Sequence, residues 1–450
     1  MKRTKGAAVE GAAARSTGER FACYSSFMTP AARIQAAIEI IEALDKTAMP
    51  ADRLLRDWFR ARHFMGSKDR AAVSERVYDV LRHRAWATWR MQRDDARALV
   101  IASLSREEQT ADAIAQLFAA GGYGPSPLTD DERNAIAAPP AVPPPLHVQG
   151  EYPQWLEPEL RRAFGDGLLD EMRAMQTRAP VDLRVNTLRA SRHDMLVGLG
   201  SLGIKAEPTP FAPYGIRIPS AEGLSALQQT QFFQTGAFEF QDESSQIAAA
   251  LCHAKPGQRV LDLAAGAGGK SLALAAAMQN KGSILAFDSD SARLKQLGPR
   301  ARRAGASIIA ATDKRGGPLW GNGKFDLVLV DAPCSGSGAW RRNPESKWRL
   351  TPERLKQLTE LQAWLIDDGA RHTRAGGCLV YATCSLLPCE NADITEAFLG
   401  RNPNFRQVSA AQIWSTAVGT PAPPGTRDNF TATPLKTGTD GFFVCIMALE

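Results

Sequence analysis

Two thiols and a carboxylate stand where strand-like runs give way to loops. The run Leu327 to Val330, inside FDLVLVDAPCSGSG (Phe325 to Gly338), ends on Asp331 and reaches Cys334. A second run, Cys378 to Ala382 in GGCLVYATCS, leads to Cys384. Short apolar runs bounded by turn residues read as buried strands, and ligands of an open α/β sheet bind at the carboxyl ends of its strands. Buried cysteine is usually a small hydrophobe, as expected for Cys378 and Cys445 inside their strands. Cys334 and Cys384 instead lie just beyond theirs, beside Ser and Gly, where a thiolate can act as a nucleophile. No His is near either one in sequence, so a Cys-His protease arrangement is poorly supported.

A glycine-rich turn belongs to the same sheet edge. In LDLAAGAGGKSLALA, Leu261 to Ala275, a strand passes through Gly266, Gly268 and Gly269 into a helix. Such a turn lets a ligand approach the backbone closely and offers helix N–H groups to its anionic part. Two ligands fit. GAGGKS is close to a phosphate loop, with FDLVLVD as its distal acidic strand, but that pattern needs a glycine where Ala264 stands. The next strand ends ILAFD, placing Asp288 where an acid grips ribose hydroxyls. An adenosine-bearing cofactor is therefore favoured over a nucleoside triphosphate. Asp313, after the third strand, is then positioned for the adenine; its plainer role is a turn or helix cap.

A thiolate, a carboxylate and an adenosine-bearing cofactor together suit methylation of cytosine at C5. That carbon is a poor nucleophile until a thiolate adds to C6, and an acid at the N3 and N4 edge stabilises the charge that builds. The C5 proton and the thiol must then leave, a step a second cysteine can assist.

The elements that position these groups follow from the pattern. From Gly257 onward, strands near Arg259 to Leu263, Ser283 to Phe287, Ser307 to Ala310, Leu327 to Val330 and Cys378 to Ala382 alternate with helical stretches, and Gly441 to Met447 closes the series. This is the signature of an α/β fold with a parallel, doubly wound sheet, expected over 256–450. Residues 151–255 read as a small α+β module: a helix from Glu157 to Arg173, a strand from Val181 to Asn186, a helix from Arg192 to Leu202, and strands near Ala206 to Thr209 and Gly215 to Ile218. Arg184 and Asn186 could hold phosphate or sugar, or could face solvent. Residues 121–150 have the Pro/Gly composition of a linker. Residues 28–120 show helical spacing, as in Ile34, Ile38, Ile41 and Leu44, and read as an all-helical domain. Residues 1–27 are small, polar and aperiodic, and a disordered tail is expected; a transit peptide, or a true start at Met28, are the competing readings.

The chain has 450 residues, 7 cysteines and a net charge of +6. That length suffices for two or three domains. The cysteine spacings suit neither a disulfide framework nor zinc pairs, so free thiols and no metal are expected. No apolar run is long enough to span a bilayer and no secretory signal is evident, so a cytoplasmic protein is expected. Residues 1 to 90 hold 17 Lys or Arg against 10 Asp or Glu, and the rest is nearly neutral. A basic first segment favours a polyanion, with nucleic acid ahead of membrane, although solvated helical faces are often basic too.

DAPCSGSG followed by WRRNPESKWRL, then LVYATCSLLPCEN, resembles the RsmB/Fmu/Sun family of RNA cytosine-C5 methyltransferases, whose pattern is DAPCSGTG, RRxPxxKW and YATCSxxxxEN. DLRVNTL, FEFQDESSQ, DLAAGAGGK and DGFF (Asp440 to Phe443) are similar to further family elements, and GSKDRAAVSERVYDVLR (Gly66 to Arg82) to the NusB-like RNA-binding domain of bacterial small-subunit rRNA members. The resemblance implies a Rossmann-like class I methyltransferase domain using S-adenosylmethionine, acting on RNA, most plausibly 16S rRNA, as a monomer. tRNA is the alternative substrate, and a catalytically inactive assembly factor the alternative function. It implies Cys384 as nucleophile, Cys334 as the residue that helps release the methylated base, and Asp331 facing that base. It also implies that Ala264, Ala265, Gly266, Ala267, Gly268, Gly269, Lys270, Asp288, Asp313 and Asp331 bind the cofactor, with Lys270 on its carboxylate. The family's CAAPGGK is AAGAGGK here, Ser337 replaces a threonine, and Cys389 stands where an acid is usual.

Overall fold

The computed structural model describes residues 28–107, 110–119, 122–219 and 227–450. The stretch 1–27, expected as a tail, lies outside the described residues.

Helical spacing from Pro30 onward is realised as helices Pro30–Asp45, Ala51–Arg60, Ser67–Arg82, Arg84–Met91, Ala96–Arg106 and Ala111–Leu117. Thr29 starts the first, its hydroxyl accepting from Ala32 N at 3.2 Å. The stripe Ile34, Ile38, Ile41 and Leu44 meets Val73, Val77, Val80 and Leu81 in one core. Residues 122–150 differ from the expected linker. They carry helices Asp130–Ala137 and Leu146–Gln149, and Leu128 and Ile136 bury themselves in the helical core. A reciprocal Thr129–Glu132 capping box begins the first of these helices. Arg97 grips Glu132 with two bonds of 2.8 and 3.0 Å. The prolines fall between the helices, where no backbone donor is needed.

The small module is a four-stranded sheet in the order β2-β3-β1-β4, with β1 Val181–Val185, β2 Glu207–Pro208, β3 Gly215–Ile218 and β4 Phe238–Phe240, antiparallel throughout. The single helix expected from Glu157 is two, Glu157–Phe164 and Leu168–Gln176, because the chain breaks at Gly165, whose positive φ (54°) glycine adopts without strain.

The large sheet contains β5 Arg259–Asp262, β6 Ser283–Phe287, β7 Ile309–Thr312, β8 Phe325–Asp331, β9 Thr373–Thr383, β10 Phe405–Val408, β11 Phe430–Ala432 and β12 Phe442–Leu449. Its order is β10-β12-β9-β8-β5-β6-β7, with β11 also paired to β12. Strands β5 to β9 are parallel, as expected. β12 is antiparallel to β9, β10 and β11, so the sheet is mixed. Residues 433–441 between β11 and β12 are too few for the crossover that parallel neighbours require. With helices on both faces this is a Rossmann-like α/β fold. Its strand order reverses between β5 and β8, which is where such sheets bind ligands.

The helix Pro344–Arg349 locks the helical domain onto this sheet domain. The Glu345 carboxylate accepts from Ala51 N at 3.0 Å, at the start of one helix. Lys347 Nζ and Trp348 Nε1 donate to Arg82 O and Leu81 O, at the end of another, at 3.1 and 2.8 Å. Arg349 reaches the carbonyls of Leu44 and Met49 at 3.1 and 3.0 Å. Acid at helix starts and bases at helix ends is the arrangement helix dipoles favour. Among the described residues, no helix is long and apolar enough to cross a membrane.

Candidate active site

The parallel register aligns Asp262 with Leu329 and Asp331 with Ala382, so neighbouring strands β5, β8 and β9 release their functional residues at one edge. β6 adds Asp288 beside them. The turn after β5 folds against β6 through Ala265 N, which donates to Phe287 O at 2.9 Å. It needs glycine at Gly268, whose φ is 83° and where a Cβ would stand 2.1 Å from Leu297 Cδ1. Helix Gly269–Ala277 then points its N-terminus at the edge.

Cys334 and Cys384, fifty positions apart, meet with their sulfurs 3.4 Å apart. Gly338 N donates to Cys384 O at 2.9 Å and joins the two loops. The hydrogen bond with Cys384, then burial and the Cys384 charge, push the Cys334 thiol well above its ordinary range. Lys270 Nζ lies 2.6 Å from Asp331 Oδ2 and 4.8 Å from the centre of the Phe442 ring. Burial pulls this ammonium's pKa down, but Asp331, Cys384 and Asp262 outweigh it and the net shift is upward. The expectation for Lys270 was the carboxylate of a cofactor; the structure gives it the carboxylate of Asp331. A lysine buried on the first turn of that helix requires an anion, and the end of β8 supplies one.

Asp288 is buried and uses both oxygens on backbone donors, Gly266 N at 2.7 Å and Asp290 N at 2.8 Å, which shapes the glycine turn. Asp313 is exposed beyond β7. Ala264, Ala265, Ala267 and Gly269 line the turn, half-buried. Arg184 and Asn186 are not free to hold phosphate. Both are buried, with Arg184 donating to Gly269 O at 2.7 Å and Asn186 to the carbonyls of Gly236 and Ala304, each at 2.8 Å. Arg184 fastens the small module to the glycine turn, and Asn186 fastens it to the end of helix Leu297–Ala304. Cys389 packs partly buried against the Tyr152 and Leu156 cluster, and its backbone N–H donates to Glu159 Oε2 at 3.3 Å, a structural setting.

Two acids that sequence spacing did not single out complete the edge. Glu390 is fully buried behind the thiol loops. Asp262, the last residue of β5, accepts from Ser271 Oγ at 2.6 Å through Oδ2, while its buried Oδ1 has no partner. Its place at a strand end just before the glycine turn was the available signal. Burial pushes its carboxyl up to about 7, with Asp331 and Asp288 adding to the rise and the Ser271 hydrogen bond and Lys270 opposing it. A raised folded-state pKa stabilises the fold below the unfolded value, near 4, and that contribution is lost as pH climbs through about 7. Relative to wild type, Asp262→Asn should therefore gain stability as pH rises from 5 to 8. The gain over that range should reach up to roughly 3 kcal/mol, because about two of the pH units separating the unfolded and folded values lie above pH 5 and each is worth about 1.4 kcal/mol. Urea titrations of the cofactor-free protein at several pH values measure this, and a pH-independent difference would refute it.

A family model described as 16S rRNA methyltransferase RsmB/F matches residues 249–448, and one for the ferredoxin-like domain of RsmF/B-like methyltransferases matches 152–224. The probable ribosomal RNA small subunit methyltransferase B of Bacillus subtilis is 33% identical over 308 residues, 67% of each chain. The ribosomal RNA small subunit methyltransferase B of Klebsiella pneumoniae is 34% identical over 294 residues, 65% of this chain and 64% of its own. The match thus spans about two thirds of these relatives' length. Among solved structures, the crystal structure of PH0851 superposes with a TM-score of 0.74 at 25% identity, covering 93% of this chain and 99% of its own.

Proposed function

The chain belongs to the 16S rRNA methyltransferase RsmB/F family, and from that premise we propose that it methylates C5 of a cytosine in small-subunit rRNA, using S-adenosylmethionine. The observation that weighs most is the 3.4 Å sulfur pair set beside the Lys270–Asp331 ion pair at the sheet's switch point.

The residues fit the cofactor. The orphaned Asp262 Oδ1 suits an ammonium donor, and the turn at Ala264, Ala265, Ala267 and Gly269 is only half-buried, which leaves it within reach of a ligand. Asp262, the backbone of 264–269 and Asp288 would hold it, with Asp313 at the rim. When bound, it supplies an electrophilic methyl group on sulfonium.

Cys384 loses its proton to solvent and its sulfur bonds to C6 of the cytosine as the C5–C6 double bond opens, its electron pair moving to C5 and towards the N3 edge. Asp331 hydrogen-bonds that edge, and the Lys270 ammonium fixes the acid's position. The same ammonium lies in the field of the Cys384 sulfur. After C5 carries the methyl group, its proton leaves, the C5–C6 double bond reforms and the C6–S bond breaks. Cys334, adjacent to the departing sulfur, assists this release. The base must be unstacked to expose C6. The helical domain and the small module hold the surrounding RNA.

Labelled methyl transfer to unmodified small-subunit rRNA, with tRNA in parallel, tests this. The expected product is 5-methylcytidine in the rRNA. Label in tRNA alone would move the substrate, and no label in either would favour an inactive assembly factor.

A further inference from the structure

The thiols are held together from behind. Glu390 Oε1 accepts from Ser335 N at 2.8 Å and from Gln362 Nε2 at 3.0 Å. Its Oε2 accepts from Ser335 Oγ and from Ser385 Oγ, each at 2.5 Å. Ser335 follows Cys334, and Ser385 follows Cys384. One carboxylate therefore holds the neighbour of each sulfur.

Gln362, buried on helix Pro352–His372, also donates to Pro333 O at 2.8 Å, on the other side of Cys334. Tyr381 OH donates to the Glu390 carbonyl at 2.7 Å and anchors its backbone to β9. The donors on the carboxylate occupy about the four lone-pair positions a carboxylate offers. A fully buried carboxylate among neutral donors is costly, and an amide in its place would turn one acceptor into a donor facing a donor.

We propose that Glu390 is a positioning residue: its carboxylate latches the Cys334 loop to the Cys384 loop and so sets the distance between the two sulfurs. This rests on the thiol roles proposed above, but its geometry can be tested without them. In addition, Glu390 is one of the negative groups that keep Cys334 protonated, after the Cys384 hydrogen bond and burial.

The test reads sulfur proximity directly. Diamide takes two electrons and two protons from a pair of neighbouring thiols, forming one S–S bond and the hydrazine. In the full-length, RNA-free protein, the Cys334–Cys384 pair should oxidise readily, and the reaction should vanish in Cys334→Ala. In Glu390→Gln the rate should fall about tenfold or more, the scale of losing one charge-assisted hydrogen bond, with S-adenosylmethionine affinity within about threefold of wild type. Ser385→Ala, which removes one donor, should shift the rate the same way by less, and carries the test if Glu390→Gln does not fold. Ile40→Val, a core change in the helical domain, should leave the rate unchanged and so exclude general loosening. Unaltered oxidation and methylation rates in Glu390→Gln would overturn the latch, as would a wild type whose sulfurs do not cross-link. Glu390-dependent cross-linking in a protein that methylates nothing would instead fault the proposed function and leave the latch standing.

Discussion

Replacing Cys384 with alanine should lower methyl transfer by about a thousandfold or more, the usual consequence of removing a covalent nucleophile. Replacing Cys334 should give a different result: C6 attack and methylation proceed, release stalls, and an RNA–protein adduct resistant to denaturant accumulates. Single-turnover transfer of labelled methyl groups, followed by denaturing electrophoresis, reads both. The paired assay matters because the sulfurs are only 3.4 Å apart, so either could reach the same base. If Cys384→Ala keeps its activity while Cys334→Ala is dead, the two roles are exchanged.

Asp331→Asn carries the second large effect. It removes the acid proposed to face the base and leaves the buried Lys270 ammonium without its partner at 2.6 Å. Loss of transition-state stabilisation of this kind costs about 10²–10⁴ in rate. Stability should fall as well, by about 3 kcal/mol or less: buried pairs broken on one side cost about 3–5 kcal/mol, but the Asp331 side chain keeps 31% exposure. Adding Lys270→Met removes the stranded charge, so the double variant should regain stability and remain inactive. Recovery of activity in the double variant would mean that Asp331 serves only to neutralise Lys270.

Much of the large sheet was legible because its signals are local. The runs around Val260, Leu285, Val328 and Val380 are short, apolar and ended by turn residues, and they became β5, β6, β8 and β9. β10 and β11 went unread: each is short and pairs only with β12, so tertiary pairing rather than residue pattern makes them strands. The prolines between 121 and 150 suggested a linker, whereas the apolar faces of Leu128 and Ile136 decided the outcome by burial. At the site, spacing relative to strand ends located Asp331, Cys334 and Cys384. It could not show that Lys270 turns toward Asp331, or that Glu390 joins Ser335 to Ser385, because those contacts depend on how separate strands are brought together. Arg184 and Asn186 misled for the same reason: polar residues on a strand look solvent-facing until a second domain covers them.

The position of β12 also has a temporal meaning for a chain made from its amino end. It inserts between β9 and β10, and the residues just before it complete the thiol neighbourhood: Gly441 N donates to Gly338 O at 2.8 Å, Asp440 holds Arg341 Nε at 2.6 Å, and the Phe442 ring covers Lys270. Until that stretch leaves the ribosome, β10 has no strand to pair with and the thiol loops lack their floor. Order at the thiol loops is therefore coupled to the docking of β12 and the residues just before it, not to the loops' own sequence alone.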